Sequence, residues 1–279
     1  MTKNELSCWR HLFNAPYLRQ LGCHGIHADH KLIKDAASLG VSTLFELYDK
    51  AYGFLLSHYP VEYVLKNELL KWILDQPTNG HICTEHWMHD STRADVVWIT
   101  KDCSRVYEIK TRYDSHKRIE NQIRSYSKIF DEIFLVTEEG YSFMFDKHAP
   151  SYVGLISISS SGKLKILRSA KKHTDTLIKP SMFNSLRAKE QRLFIKECCQ
   201  SKVFYYQPSA LITEEFSVES MQKHMRHYWS NRESIRHLEF LNNLPESFHS
   251  AMYDYRILKN EWKRIIDLLR QPLQKLAIE

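Results

Sequence analysis

Residues 93–111 read Arg93-Ala94-Asp95-Val96-Val97-Trp98-Ile99-Thr100-Lys101-Asp102-Cys103-Ser104-Arg105-Val106-Tyr107-Glu108-Ile109-Lys110-Thr111. Val, Ile, Trp and Tyr fill both flanks of a polar four-residue segment, Lys101 to Ser104, and this pattern predicts a β-hairpin. With Thr100 placed opposite Arg105, Asp95 falls opposite Lys110, and the period of two puts Glu108 and Lys110 on one face together with Asp95. Cross-strand neighbours lie about 5 Å apart and diagonal ones about 7–8 Å, so Asp95 and Glu108 both reach one hard cation, with Lys110 beside it. Charges on strands otherwise rich in Val, Ile and Trp need a reason, because unpaired buried charge costs several kcal/mol. A divalent metal supplies one.

Outward from this hairpin the pattern stays mixed. Before it, Val61–Leu74 carries Val61, Val64, Leu65, Leu69, Trp72 and Ile73 on one helical stripe with Glu68 at its side, and Pro77-Thr78-Asn79-Gly80 ends the helix. Short apolar or alternating runs at Ile82–Trp87, Ala94–Thr100, Val106–Thr111, Ile133–Val136, Ser142–Phe145 and Val153–Ile158 predict strands. One helix, Lys117–Phe130, interrupts them, so the order strand, strand, strand, helix, strand predicts a hairpin-fed βαβ unit. Short helices are expected before Tyr59. After Gly162 the chain is basic and mainly helical, with helices expected at Met182–Gln200, Val218–Asn243 and Phe248–Ile278.

The spacing Asp95-x12-Glu108-x-Lys110 resembles the motif of the PD-(D/E)XK nuclease superfamily. Two further features resemble its RecB-like branch: Glu68 on the preceding helix, where that branch carries another acid, and Gln122-Ile123-Arg124-Ser125-Tyr126, which matches its QxxxY motif. The resemblance covers Val61 to about Glu138. It departs at Arg93-Ala94, which stand where Pro or Gly is often found near the first acid. It implies a restriction-endonuclease-like α/β core, a mixed central sheet flanked by helices, with N-terminal helices and a C-terminal helical region. It also implies Mg²⁺-dependent hydrolysis of DNA phosphodiesters, Mn²⁺ substituting. Asp95, Glu108, the Ile109 carbonyl and Glu68 would hold the metal. Lys110 would orient the attacking water, and Gln122 and Tyr126 would face the substrate side. Arg93, Arg112 and Arg124 are candidate phosphate contacts.

Composition sets the frame. In 279 residues, 43% are apolar and 26% charged, with 8 Gly and 8 Pro, values of a globular chain with few linkers. The expected division is residues 1–60, a helical segment; 61–160, the nuclease-like core; and 161–279, a basic helical region. Residues 1–159 carry 18 Lys and Arg against 20 Asp and Glu, and residues 160–279 carry 21 against 13, an asymmetry that suits a polyanionic partner. DNA is the expected partner, RNA an alternative one; a homodimer or a larger defence complex stays open, in phage defence or DNA repair. No apolar run approaches the roughly 18 residues of a membrane span, and Met1–Arg10 is charged, so a cytoplasmic location without a membrane partner is expected. GxxxxGK[ST] and GxGxxG are both missing, which argues against an intrinsic ATPase or dinucleotide enzyme.

Other signals are weaker. Cys23-His24-Gly25-Ile26-His27-Ala28-Asp29-His30 matches no zinc spacing and reads as a polar loop. His81, Cys83, Glu85, His86 and His89 crowd the strand before the motif, with Glu85 the one nearest in kind to a site residue. The run His224 to Trp229 with Arg232 and Arg236 suits either base stacking or ordinary helix packing. Two alternatives to a DNA nuclease remain: a catalytically silent DNA- or protein-binding module of the same fold, and a metal-dependent RNase or toxin.

Overall fold

A computed structural model describes residues 9–25, 39–88, 90–198, 212, 214–232 and 238–273. The chain divides into two compact units: unit 1 comprises Met1–Asp75, Ile158–Leu164 and Ile235–Glu279, and unit 2 comprises Gln76–Ser157 and Lys165–Ser234. This division cuts across the boundaries expected at 60 and 160. The helix before the motif groups with both chain ends, and the segment from Lys165 to Ser234 groups with the sheet.

Unit 1 is helical. Asn14 caps α1 (Ala15–His24) by accepting the Tyr17 N–H at 2.8 Å, with Pro16 in the first turn where its missing donor costs nothing. Thr43 caps α2 (Leu44–His58) through the Glu46 N–H, and Glu46 reaches back to the Ser42 N–H at 2.6 Å. α3 (Glu62–Leu74) follows Pro60, as its apolar stripe predicts. Leu18, Leu44, Leu47, Tyr48, Leu55 and Val64 are buried with Phe248, Trp262, Ile265 and Leu269 from the C-terminal helices, each large side chain contributing roughly 1.5–3 kcal/mol of apolar burial.

Unit 2 carries an α/β fold whose six-stranded mixed sheet is flanked by helices. The strand order is β1 (His81–Trp87), β2 (Arg93–Ile99), β3 (Ser104–Lys110), β4 (Glu132–Glu138), β5 (Gly154–Ile158), β6 (Leu164–Arg168). β1, β2 and β3 run antiparallel, and β3 pairs β4 in parallel. Parallel neighbours need a crossover, which α4 (Ile119–Tyr126) provides. Val97, Ile99, Val106, Ile133 and Leu135 on one face pack with Ile119, Ile123 and Tyr126 of α4. On the other face Tyr107 stacks on Phe134 with ring centroids 5.2 Å apart, and Arg105 lies over Trp98 while pairing with Glu132 at 2.7 Å.

Several elements depart from the sequence expectation. The β2–β3 turn is tighter than the four residues expected: Thr100 N–H donates to the Cys103 carbonyl at 2.9 Å, and Thr100 Oγ1 accepts the Asp102 and Cys103 N–H groups. A threonine hydroxyl thus organises a two-residue turn. The pairing is Trp98 with Arg105 and Val96 with Tyr107. Extended by one step, it sets Asp95 opposite Glu108 rather than Lys110. A slip of two leaves every side chain on its expected face, so the shared face survives the change.

Ser142–Phe145, expected as a strand, begins a single helical turn, α5 (Phe143–Asp146), because a four-residue apolar run carries no decisive period. β6, which lies in the stretch after Gly162 expected to be mainly helical, is a short strand at the end of the sheet order, with Lys165 and Arg168 along it, a composition that discourages further pairing. The expected helix 182–200 is two, α6 (Lys179–Asn184) and α7 (Ala188–Cys198). In place of the expected helix Val218–Asn243, the described residues form α8 (Val218–Ser230) and a 3-10 segment at Leu238–Asn243. The last segment forms α9 (His249–Asp254) and α10 (Lys259–Arg270). Among the described residues no helix is long and apolar enough to cross a membrane.

Candidate functional site

The motif residues of unit 2 converge on one carboxylate. Glu108, on β3, is buried, and its Oε1 accepts Lys110 Nζ at 2.5 Å and Gln122 Nε2 at 2.6 Å. Its Oε2 accepts Tyr126 Oη at 2.5 Å. Gln122 and Tyr126 lie one turn apart on α4, so the helix that bridges β3 and β4 aims both at the strand it has just left. Three donors, one of them cationic, take the place of the water this buried carboxylate has lost. Tyr126 Oη is also 2.9 Å from the Arg93 carbonyl. Burial first, then the charge of Glu108 and its hydrogen bond, hold the Tyr126 phenol well above its ordinary range, so it is a donor at any working pH.

Asp95, on β2, is half-buried, and its Oδ2 accepts the Ile109 N–H at 2.6 Å. One carboxylate therefore grips the backbone between the other two motif residues. Beside it stands a residue the motif does not include: a carboxylate oxygen of Glu85 lies within 4.8 Å of one from Asp95. Glu85 has φ 51, a left-handed conformation inside a strand and rare for a side chain of this size. The reversal breaks the alternation of β1, so that Cys83 Sγ and His86 Nδ1, three apart, meet at 3.7 Å. Nothing in the sequence signals that reversal.

The candidate arginines differ. Arg93 is exposed; its Nε pairs with Glu85 Oε2 at 2.8 Å and its guanidinium lies 5.5 Å from the centre of the Trp87 ring. Arg112 is committed to Glu138: its N–H and Nε each reach the buried carboxylate at 2.7 Å, a second guanidinium nitrogen also contacts it, and Tyr141 lies beneath at 4.4 Å. This two-pronged grip uses the groups a phosphate would need. Arg124 is exposed on α4. Together with Asp114, which accepts the Thr111 N–H and hydroxyl at 2.7 Å each, Glu138 anchors the chain just past Lys110.

Glu68 belongs to unit 1. It is buried there, its Oε1 accepting Tyr52 Oη at 2.6 Å and Lys71 Nζ at 3.4 Å, and the Tyr52 hydroxyl accepts in turn from Asn67 at 3.0 Å. The run from His224 to Arg232 follows the packing reading and not the base-stacking one. Trp229 is fully buried against His86, Arg226 reaches Asp131 at 3.1 Å, and Arg232 pairs with Glu190 over the Trp229 ring. In unit 1 Cys23 donates to Glu261 at 3.0 Å; Ile26–His30, His89 and Arg236 lie outside the described residues.

No curated protein matches the chain. A solved protein of unknown function from Silicibacter pomeroyi is similar over 49% of this chain and 82% of its own, at 17% identity and a TM-score of 0.28. The family model described as bacteriophage P4 protein cII matches residues 57–259. That span takes in α3, the whole sheet and every motif residue named above, and it exceeds half of the sequence; the chain belongs to the bacteriophage P4 protein cII family.

Proposed function

We propose that unit 2 is a metal-dependent nuclease with Asp95, Glu108 and Lys110 at its centre. The observation that carries this reading is the convergence of Lys110, Gln122 and Tyr126 on Glu108 while Asp95 holds the peptide between Glu108 and Lys110. The order helix, three antiparallel strands, crossover helix and parallel strand agrees with the restriction-endonuclease-like core that the motif resemblance implies.

The donor chemistry fits a hard cation. Asp95 and Glu85 bring carboxylate oxygens within 4.8 Å of each other, and the Gln122 Oε1 is a buried acceptor without a partner next to Glu108. Oxygen donors of this kind suit Mg²⁺ or Mn²⁺ over softer metals. Asp95, Glu108 and the Ile109 carbonyl would hold the ion, which when bound supplies a Lewis acid and an activated water. The chain's own groups do the rest. Lys110, fixed by its bond to Glu108, places a positive charge where a scissile phosphate gains negative charge. Gln122 and Tyr126 hold the Glu108 carboxylate in one rotamer, and the protonated Tyr126 cannot act as a base. DNA is the proposed substrate, the basic C-terminal part of the chain suiting a polyanion.

The test is cleavage of supercoiled, linear and single-stranded DNA and of tRNA, with Mg²⁺ or EDTA. The expected result is Mg²⁺-dependent product from DNA, reduced roughly a hundredfold or more in Asp95→Ala, Glu108→Gln and Lys110→Ala. Product from tRNA alone moves the assignment to an RNase. No metal-dependent product from any substrate, or wild-type rates in Glu108→Gln, overturns it.

A further inference from the structure

Trp87 stands out among the tryptophans of the described residues. Trp98, Trp229 and Trp262 are nearly or fully buried, whereas Trp87, at the end of β1, is 64% exposed. Its cross-strand partner is Arg93, whose guanidinium lies 5.5 Å from the ring centre and is steadied by Glu85 at 2.8 Å. An indole with a cation beside it and a face in water matches the surfaces on which nucleobases stack. Two charged side chains, Arg93 and the Glu85 paired with it, stand beside the ring, which suits a polyanion's base and phosphate more than an apolar docking partner.

Its position ties it to the carboxylates. Arg93 is two residues from Asp95 on β2, about 7 Å at the usual strand rise. The Arg93 carbonyl also receives Tyr126 Oη, the same hydroxyl that bonds Glu108. Ring and carboxylates are therefore fixed to one rigid piece of sheet.

We propose that Trp87, with Arg93, is a stacking platform for an unpaired nucleobase next to the phosphate that the carboxylates face, so that the site takes single-stranded nucleic acid or a frayed end in preference to intact duplex. A base inside a duplex has both faces covered by its neighbours and cannot reach the ring. This inference rests on the nuclease reading for its location, but it is tested without cleavage.

The experiment is fluorescence anisotropy of the full chain with a fluorescein-labelled 12-residue oligothymidylate and with a blunt DNA hairpin, both in EDTA. Trp87→Ala is expected to raise the Kd for the oligothymidylate about tenfold and to leave the hairpin within twofold. Trp87→Phe, which keeps a ring, should stay near the wild type, and circular dichroism checks that each variant folds. A Kd for the oligothymidylate unchanged in Trp87→Ala, an equal loss on both ligands, or no binding of the oligothymidylate by the wild type overturns the platform. Absence of cleavage with the Trp87 effect intact sinks the nuclease reading alone.

Discussion

Glu108 and Lys110 form an ion pair with little water around it, so each is costly to leave without the other. Removing the carboxylate strands a nearly buried ammonium, and Glu108→Ala is expected to lower unfolding free energy by about 3 kcal/mol in denaturant titration. Lys110→Met should cost less, because Gln122 and Tyr126 still serve the carboxylate. The double variant Glu108→Ala/Lys110→Met should be more stable than Glu108→Ala alone, since it removes the stranded charge. A double variant no better than the sum of the two singles would show that the pair is not coupled. The proposed catalysis would draw on the same residues as stability, so cleavage data on Glu108 variants need the folded fraction measured beside them.

Among the elements, the β2–β3 hairpin sets the site's register through a single hydroxyl. Thr100 Oγ1 accepts two turn N–H groups, one of them the buried Cys103 amide at 3.1 Å. Thr100→Val keeps the shape and removes the acceptor, and is expected to destabilise the chain by about 1–3 kcal/mol, the cost of a buried donor without a partner. Thr100→Ser should recover most of that, as read by thermal or denaturant unfolding. An unaffected Thr100→Val would mean that the pairing of β2 with β3, and not the turn, holds Asp95 opposite Glu108. α4 is the second positioning element. Its apolar residues Ile119, Ile123 and Tyr126 seat it on the sheet, which leaves Gln122 no choice but the site side.

For the molecule as a whole, two imidazoles of unit 2 contribute to the acid limb of stability. Burial first, and then the charge of Arg232, lower both His81 and His86 to about 4. Arg187 acts in the same sense on both, while Glu190 opposes it at His86. The unfolded chain binds these protons near pH 6.5 and the folded chain only near 4, so the stability is fully present above 6.5 and is lost as pH falls toward 4. Each imidazole contributes at most about 3 kcal/mol to that loss. Unfolding midpoints measured from pH 7.5 to 4 should fall across this window, and His86→Phe should flatten the fall. An equally steep limb in that variant would place the acid sensitivity elsewhere.

The local chemistry was legible in the chain. Apolar or alternating runs named β1 to β5, the stripe at Val64, Leu65, Leu69 and Ile73 named α3, and the alternation of the hairpin put Asp95, Glu108 and Lys110 on one face; Gln122 and Tyr126 were joined to them only by the motif resemblance. Those patterns depend on periods of two and 3.6, which neighbouring residues fix by themselves. Helix breaks after Asn184 and Ser230 and the edge strand β6 were not legible, because short segments take their form from what they pack against.

Partnerships over long separations exist only in the folded chain. Glu138 grips Arg112 from 26 residues away, Glu85 turns left-handed to stand beside Asp95, and Arg226 and Arg232 are spent on Asp131 and Glu190. The division into two units, with both chain ends in one of them, belongs to the same class. Sequence carries a residue's own preferences and those of its near neighbours; charge pairing, burial and strain are set by surfaces that meet only once the chain has folded.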